Sequence, residues 1–287
     1  MFTENQLSEI KKLISPEKKV VIITHYNPDG DAIGSALGLK HFLNNMGVEP
    51  TVLAPNDFPK FLKWMPDAKK VVIAEYKRKT AGEAIYKADV IFCLDFNAHN
   101  RIGILGDWLM KSWAKKILID HHQQPEDFDY VYSDVTIPAT CQMVYHFIEA
   151  LGREDLVDQN VAECLYTGIM TDTGGFRFRS TSATTHRIVA NLIEKGANPA
   201  MITSNTWDTN SVSRLHLLSL ILGRIELVKD GKVAVLYLKR EELKEFGFEK
   251  GDTEGFVNYG LSIAGTKMAA FFMEDLHEDY IKISFRS

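Results

Sequence analysis

The sequence predicts an α/β fold: a parallel sheet with helices on both faces, then a helical connecting stretch, then a smaller mixed α/β C-terminal domain. Three observations predict it. Val- and Ile-rich runs that do not alternate with polar residues recur through the first 120 positions, as strands buried on both faces do. Segments with apolar residues at helical spacing separate them. Past Leu222 the style changes to alternating strands around Asp230-Gly231, a strong hairpin signal.

The elements follow in order. The stretch MFTENQLSEIKKLIS reads as an amphipathic helix, because Glu4 and Glu9 sit among its lysines and it has no small-residue cleavage site of a signal peptide. Strands are expected at Val20–Thr24, Pro50–Ala54, Lys70–Ala74, Ala88–Asp95 and Lys116–Asp120. Helices are expected between them at Ala32–Met46, Thr80–Lys87 and Leu105–Ser112. A mostly helical stretch follows: Ala139–Leu151, Gln159–Thr171, Ser182–Lys195, Pro199–Trp207 and Val212–Leu222. Gly196–Pro199 marks a stop and a new start within it. Two further strands are expected at Lys267–Met273 and Asp279–Phe285. The domain boundary falls near Leu222–Gly223, giving domains 1–222 and 223–287.

Bulk properties narrow the function. A chain of 287 residues, 45% hydrophobic and 25% charged, is an ordinary globular protein. Single cores stop growing at roughly 250 to 300 residues, which suits two domains. No apolar run approaches the ~20 residues of a membrane span. Cys93, Cys141 and Cys164 are odd in number, far apart and in apolar settings, which points to buried free thiols in a reducing compartment, the cytoplasm. A net charge of −5 excludes a basic track for long duplex nucleic acid.

Parallel sheets place ligands outside the carboxyl ends of their strands, and the residues leaving those ends are chemically distinctive. VVIITHYNPDGDAIGS delivers His25, Asp29 and Asp31. DVIFCLDFNAHNRIG delivers Asp95. KKILIDHHQQ delivers Asp120, His121 and His122. The helix AECLYTGIMTDTGGFRF ends in Asp172. Each alone has an ordinary reading as a turn, a helix cap or a polar strand exit. Together they put five Asp and three His on one edge. Carboxylates this dense raise one another's pKa unless cations intervene. The donor set suits Mn²⁺ or Mg²⁺, with Co²⁺ or Zn²⁺ as alternatives, and exceeds what one ion needs. Two ions about 3.5–4 Å apart fit it. Other templates fail: there is no GxxxxGK[ST], HExxH, GxGxxG or GxSxG.

In order and spacing, HYNPDGDAIGS, CLDF…NRIG, IDHH and TGIMTDTGGFRF resemble the four motifs of the DHH phosphoesterase superfamily. The chain resembles most its nano-RNase (oligoribonuclease) and phosphoadenosine-phosphate phosphatase branch with a DHHA1-type C-terminal domain. The resemblance covers Val20 to about Phe178. It implies that His25, Asp29 and Asp95 hold one Mn²⁺, and that Asp31, Asp95, His121 and Asp172 hold the other. It implies that Asp120 steers an imidazole or a water, that His122 faces the substrate, and that a mobile second domain closes over the site. Arg101, Arg177 and Arg179 are candidates for stabilising phosphoryl charge. The family continues past a strand like KISFRS into a glycine-rich GGGH segment that grips phosphate; here the sequence ends at Ser287, and Arg286 matches the arginine that ends that strand.

The implied activity is hydrolysis of short oligoribonucleotides, phosphoadenosine phosphate, or both. Inorganic polyphosphate, pyrophosphate and cyclic dinucleotides are the alternative substrates, and a non-catalytic nucleotide-binding protein is the alternative class. Phe176 and Phe178 would favour a nucleotide if they stack a base rather than fill a core. The implied partner is a short RNA or nucleotide, without duplex nucleic acid or membrane. The apolar positions of the helical stretch are enough for a homodimer interface.

Overall fold

Thr3 begins the order of the chain: its hydroxyl accepts the Gln6 N–H, and the Gln6 side chain accepts the Thr3 N–H, which caps helix α1 (Glu4–Leu13). The computed structural model describes residues 2–249 and 251–287. It divides into two compact units, Met1–Thr206 and Trp207–Ser287.

The first unit continues with β1 (Val20–Ile23), α2 (Gly30–Asn45), β2 (Thr51–Ala54), β3 (Val72–Ile73), α3 (Arg78–Lys87), β4 (Val90–Leu94), α4 (Ile104–Lys111), β5 (Lys115–Asp120) and β6 (Tyr130–Ser133). Helices α5 (Thr140–Leu151), α6 (Gln159–Asp172), α7 (Ala183–Glu194) and α8 (Pro199–Thr206) complete it. The strands form one sheet in the order β3-β2-β1-β4-β5-β6, parallel throughout. Because side chains alternate along a strand, Val20 and Ile22 of β1 join one core with α1, α2, α5 and α6. Val21 and Ile23 join a second core with α3 and α4. Burial on both faces explains why these strands read as continuous apolar runs. The strand order reverses between β1 and β4, and ligands of such sheets bind at that point.

The second unit holds α9 (Val212–Gly223), β7 (Glu226–Val228), β8 (Val233–Leu238), α10 (Arg240–Glu245), α11 (Phe256–Leu261), β9 (Met268–Glu274) and β10 (Ile281–Arg286). Its sheet runs β10-β9-β8-β7, with β8 and β9 parallel and the outer pairs antiparallel. Alternate β8 residues Ala234, Leu236 and Leu238 are buried against Leu217 and Ile221 of α9 and Phe256 of α11. The β7–β8 turn uses Lys229, Asp230 and Gly231, all with positive φ.

Some sequence expectations shift. The boundary expected at Leu222–Gly223 lies instead at Thr206–Trp207, because α9 buries its apolar side in the second core. The strand expected at Lys70–Ala74 shrinks to Val72–Ile73, after a 3₁₀ turn at Ala68–Lys70. Strand β6 and helices α10 and α11, each no longer than six residues, have no counterpart in the sequence reading.

Helices α2 and α6 approach closely. A Cβ on Gly34 would lie 2.6 Å from the Cys164 carbonyl oxygen, and a Cβ on Gly168 would lie 2.9 Å from an Asp31 carboxylate oxygen. Backbone cannot yield as a flexible side chain can. Gly34→Ala is therefore expected to destabilise the protein by about 1–3 kcal/mol in urea unfolding, as overpacking does. Gly82→Ala, on α3 with only ordinary contacts to Trp108, should be neutral or stabilising. Equal effects would show that the α2–α6 approach is not tight.

Candidate metal centre

The edge beyond β1, β4 and β5 collects eight side chains. Asp29 caps α2: its Oδ1 accepts the Asp31 and Ala32 N–H groups, both at 3.1 Å. Asp31, the second residue of α2, is buried, and its carboxylate accepts the first two N–H groups of α5, from Thr140 (2.5 Å) and Cys141 (2.8 Å). The positive end of that helix stabilises the charge. Asp95 follows β4 with φ 64 and is 2% exposed. The Thr140 hydroxyl donates to its Oδ1 at 2.9 Å.

Asp95 stands between two imidazoles. Its Oδ2 lies 3.4 Å from His25 Nε2, and its Oδ1 lies 3.5 Å from His121 Nε2. His25 Nε2 is also 3.8 Å from Asp29. His121 Nε2 is 3.9 Å from Asp31 and 3.5 Å from Asp172, at the end of α6. The other ring nitrogens face carbonyl oxygens, His25 Nδ1 that of Tyr26 (2.9 Å) and His121 Nδ1 that of Ile137 (3.2 Å). A carbonyl only accepts, so each Nδ1 carries the proton. Each Nε2 is then left aimed at carboxylates, where only a proton or a cation can sit.

This is the test of fit for metal ions. Donors sharing one ion at about 2.1 Å lie roughly 3.0–3.5 Å apart, and most of these separations fall at or near that spacing. Hydrogen-bonded Nδ1 atoms with free Nε2 atoms are the usual arrangement of metal-binding histidines. Among the described residues, three groups have ligand atoms within 4.8 Å of one another: His25, Asp29 and Asp95; Asp31, His121 and Asp172; and Asp95, His121 and His122.

The electrostatics agree. Burial alone would depress His25 and His121, but the Asp29 and Asp95 carboxylates push His25 up to about 11, and Asp95, Asp31 and Asp172 push His121 up to about 10. Burial, then repulsion from Asp95, raises Asp31 to about 7. Burial, then repulsion from Asp31, raises Asp172 to about 8. Asp95 goes the other way: burial would raise it, but His121 and His25 hold it well below the usual carboxylate range.

Asp120 is fully buried at the end of β5. Its Oδ1 accepts the His122 Nδ1–H at 2.7 Å, and its Oδ2 has no hydrogen-bond partner among the described residues. That bond raises the His122 pKa, and the ring remains 38% exposed.

The candidate arginines are exposed, and none belongs to the groups whose ligand atoms gather here. The Arg101 side chain is exposed, while its carbonyl accepts the Tyr26 N–H at 2.7 Å. Arg177 is exposed and donates from Nε to the Gly174 carbonyl. Arg179 is exposed. Arg286, on β10 of the second unit, is exposed and donates to the Phe285 carbonyl. Phe176 packs against Tyr166 and His186 beside the core, whereas Phe178 is exposed. Sequence reasoning missed Thr140, which touches both Asp31 and Asp95; the helix start expected at Ala139 is the signal that could have found it. All three cysteines are buried and free. No helix among the described residues is long and apolar enough to cross a membrane.

A doubly wound sheet with a carboxylate–imidazole cluster at its reversal point defines a class of α/β proteins built to hold metal ions. This chain belongs to the DHH family: the model for its N-terminal domain matches residues 19–169. The chain is 30% identical, over 98% of its length and 79% of the relative's, to the bifunctional oligoribonuclease and PAP phosphatase NrnA of Thermus thermophilus. It is 24% identical to the protein of that name from Bacillus subtilis, over 98% of this chain and 85% of the relative. A solved structure described as an exopolyphosphatase-related protein from Bacteroides fragilis superposes with a TM-score of 0.96 at 40% identity, covering 99% of this chain and 84% of that one.

A consequence concerns protons. Any ion bound here would compete with protons for His25 and His121 Nε2, since both imidazoles, raised to about 11 and about 10, hold their protons at pH 7 in the metal-free protein. Binding of divalent metal to the whole cluster at pH 7 should release about three to four protons, one each from His25 and His121, nearly one from Asp172 and about half of one from Asp31, and apparent affinity should rise with pH. Calorimetric titration at pH 7 in two buffers of unlike ionisation enthalpy measures the release. Buffer-independent heats would contradict this account of the cluster.

Proposed function

We propose that this protein is a metal-dependent phosphoesterase that hydrolyses short oligoribonucleotides and phosphoadenosine phosphate. The observation that carries the reading is Asp95, one carboxylate turned toward two imidazoles, as a ligand shared by two ions would be. In this reading His25, Asp29 and Asp95 hold one ion, and Asp31, Asp95, His121 and Asp172 hold the other, with Mn²⁺ as the metal and Mg²⁺ or Co²⁺ as substitutes. Bound there, the ions supply a water acidified toward neutral pH and positive charge against the phosphoryl oxygens.

The protein's own groups do the rest. Asp120 keeps the Nδ1–H of His122 in place and raises its pKa. Protonated His122 then has an Nε2–H to give to the ribose oxygen as its bond to phosphorus breaks. Arg101 and Arg177 are the proposed phosphate contacts of the first unit. The acidic balance of the chain suits a short substrate held in a pocket. The names of the Thermus and Bacillus relatives support this substrate class. The description of the Bacteroides structure favours a second reading, polyphosphate; pyrophosphate and cyclic dinucleotides are further alternatives. Assay with Mn²⁺ against a dinucleotide, phosphoadenosine phosphate, pyrophosphate, polyphosphate and cyclic di-AMP decides among them. Turnover of none would leave a nucleotide-binding protein without catalysis.

Two predictions test the assignments. Asp95→Ala should abolish dinucleotide hydrolysis and lose both equivalents of bound manganese by elemental analysis, while His25→Ala loses mainly one. Near-normal turnover in Asp95→Ala would refute a shared ligand.

His122→Ala should keep its manganese and lose about 10² to 10⁴-fold in rate, the usual contribution of a general acid. His121→Ala should instead lose manganese. Removing the Asp120 charge in Asp120→Asn lowers the His122 pKa, so the alkaline fall in kcat should move to lower pH. A fall that stays in place would rule out His122 as the acid that Asp120 tunes.

A further inference from the structure

Between two proposed ligands of one ion, His25 and Asp29, lies a residue in an uncommon conformation. Asn27 has φ 56, in the left-handed region, directly before Pro28. Asn tolerates that region better than most residues, but nothing in its own backbone selects it. What selects it comes from another strand. Asn56, two positions past the end of β2, is only 2% exposed and turns both its amide oxygen and its amide nitrogen to Asn27. Its Oδ1 accepts the Asn27 N–H at 2.7 Å, and its Nδ2 donates to Asn27 Oδ1 at 2.8 Å and to the Asp57 carbonyl at 3.2 Å. The pairing is reciprocal, so neither asparagine can turn away without stranding a buried polar group.

The segment is held from the other side as well, where the Arg101 carbonyl accepts the Tyr26 N–H at 2.7 Å. Thr24 still donates to Leu53 of β2 at 3.2 Å, so regular β1–β2 pairing reaches the residue before His25. Past that point Asn56 replaces the ladder. The Asn56 clamp thus fixes the path between the His25 imidazole and the Asp29 cap. The Asp31, His121 and Asp172 group is positioned by other means, namely α2, the α5 N–H groups, the Ile137 carbonyl and the end of α6.

We infer that Asn56 is a positioning residue for one half of the metal centre: it holds the His25–Asp29 turn in its ligand-presenting form and leaves the other half untouched. The inference rests on the two-ion reading above and assigns to one side chain outside the cluster an effect on only one of its sites. It follows that Asn56→Ala should weaken one site selectively. Partners that orient metal ligands typically matter by 10- to 100-fold in affinity.

The test is Mn²⁺ titration of metal-free protein, followed by calorimetry and by electron paramagnetic resonance, which distinguishes a lone ion from a coupled pair. The wild type should take up two ions and show the coupled signal. Asn56→Ala should keep one site within about threefold and lose 10- to 100-fold at the other, with a lone-ion signal at intermediate loading. Asn27→Ala keeps the backbone N–H that donates to Asn56 Oδ1 but removes the Oδ1 that accepts from Asn56 Nδ2, so it should weaken the same site by less than Asn56→Ala. Asn56→Asp keeps the acceptor for Asn27 N–H but sets a carboxylate oxygen against two acceptors, so it should not rescue. A structural role alone would lower the melting temperature of the metal-free variants while leaving the ratio of the two affinities as in wild type, and that outcome overturns the inference. A wild type that binds two ions beside an Asn56→Ala protein that also binds two with unchanged affinities overturns it too, and spares the two-ion reading. A wild type that binds only one ion overturns both.

Discussion

Asp95 keeps its negative charge while 2% exposed at the point where the sheet reverses order. A carboxylate in that position is tolerated only if charges and donors surround it. Here they arrive from four segments: His25 beyond β1, His121 beyond β5, the Thr140 hydroxyl at the start of α5, and its own left-handed turn out of β4. Every one of these is placed by the parallel sheet or by a helix packed on it. The charge of Asp95 therefore ties the chemistry of the edge to the register of the strands below it.

Two other acidic groups of the cluster depend on helix packing. Asp31 on α2 and Asp172 on α6 lie beside His121 because those helices approach closely enough that Gly34 and Gly168 leave no room for a methyl group. Interiors packed at this density do not deform gradually. A helix shift that relieved the crowding would also move a carboxylate away from its imidazole. The like charges of Asp31, Asp95 and Asp172 push this region apart, while the apolar contacts of α2, α5 and α6 hold it together.

Much of this was legible in the residue pattern, for physical reasons. Doubly buried strands announce themselves as unbroken Val and Ile runs, so β1, β2, β4 and β5 were plain, and the chemistry follows directly from what leaves their ends. Strand β6 was not plain, because Tyr130–Ser133 is four residues of mixed burial next to polar loop. Helix α9 was recognised as a helix but given to the wrong unit, since periodicity shows that a face is apolar without showing what it meets. Thr140 and Asn56 escaped for a related reason. Their importance lies in a contact with a distant segment, and neither residue type is unusual where it stands.

The residues of the cluster are also scattered in time. A chain made from its amino end has His25 long before Asp172, and translation adds only about 5–20 residues each second. The α2–α6 contact that gathers Asp31 beside Asp172 cannot exist until α6 has been made. The His25, Asp29 and Asp95 group is complete in sequence by residue 95, whereas the Asp31, His121 and Asp172 group lacks its last member until α6. The two groups are therefore finished at different times, and an ion that needs the Asp31, His121 and Asp172 group would find it only once the first unit is nearly whole.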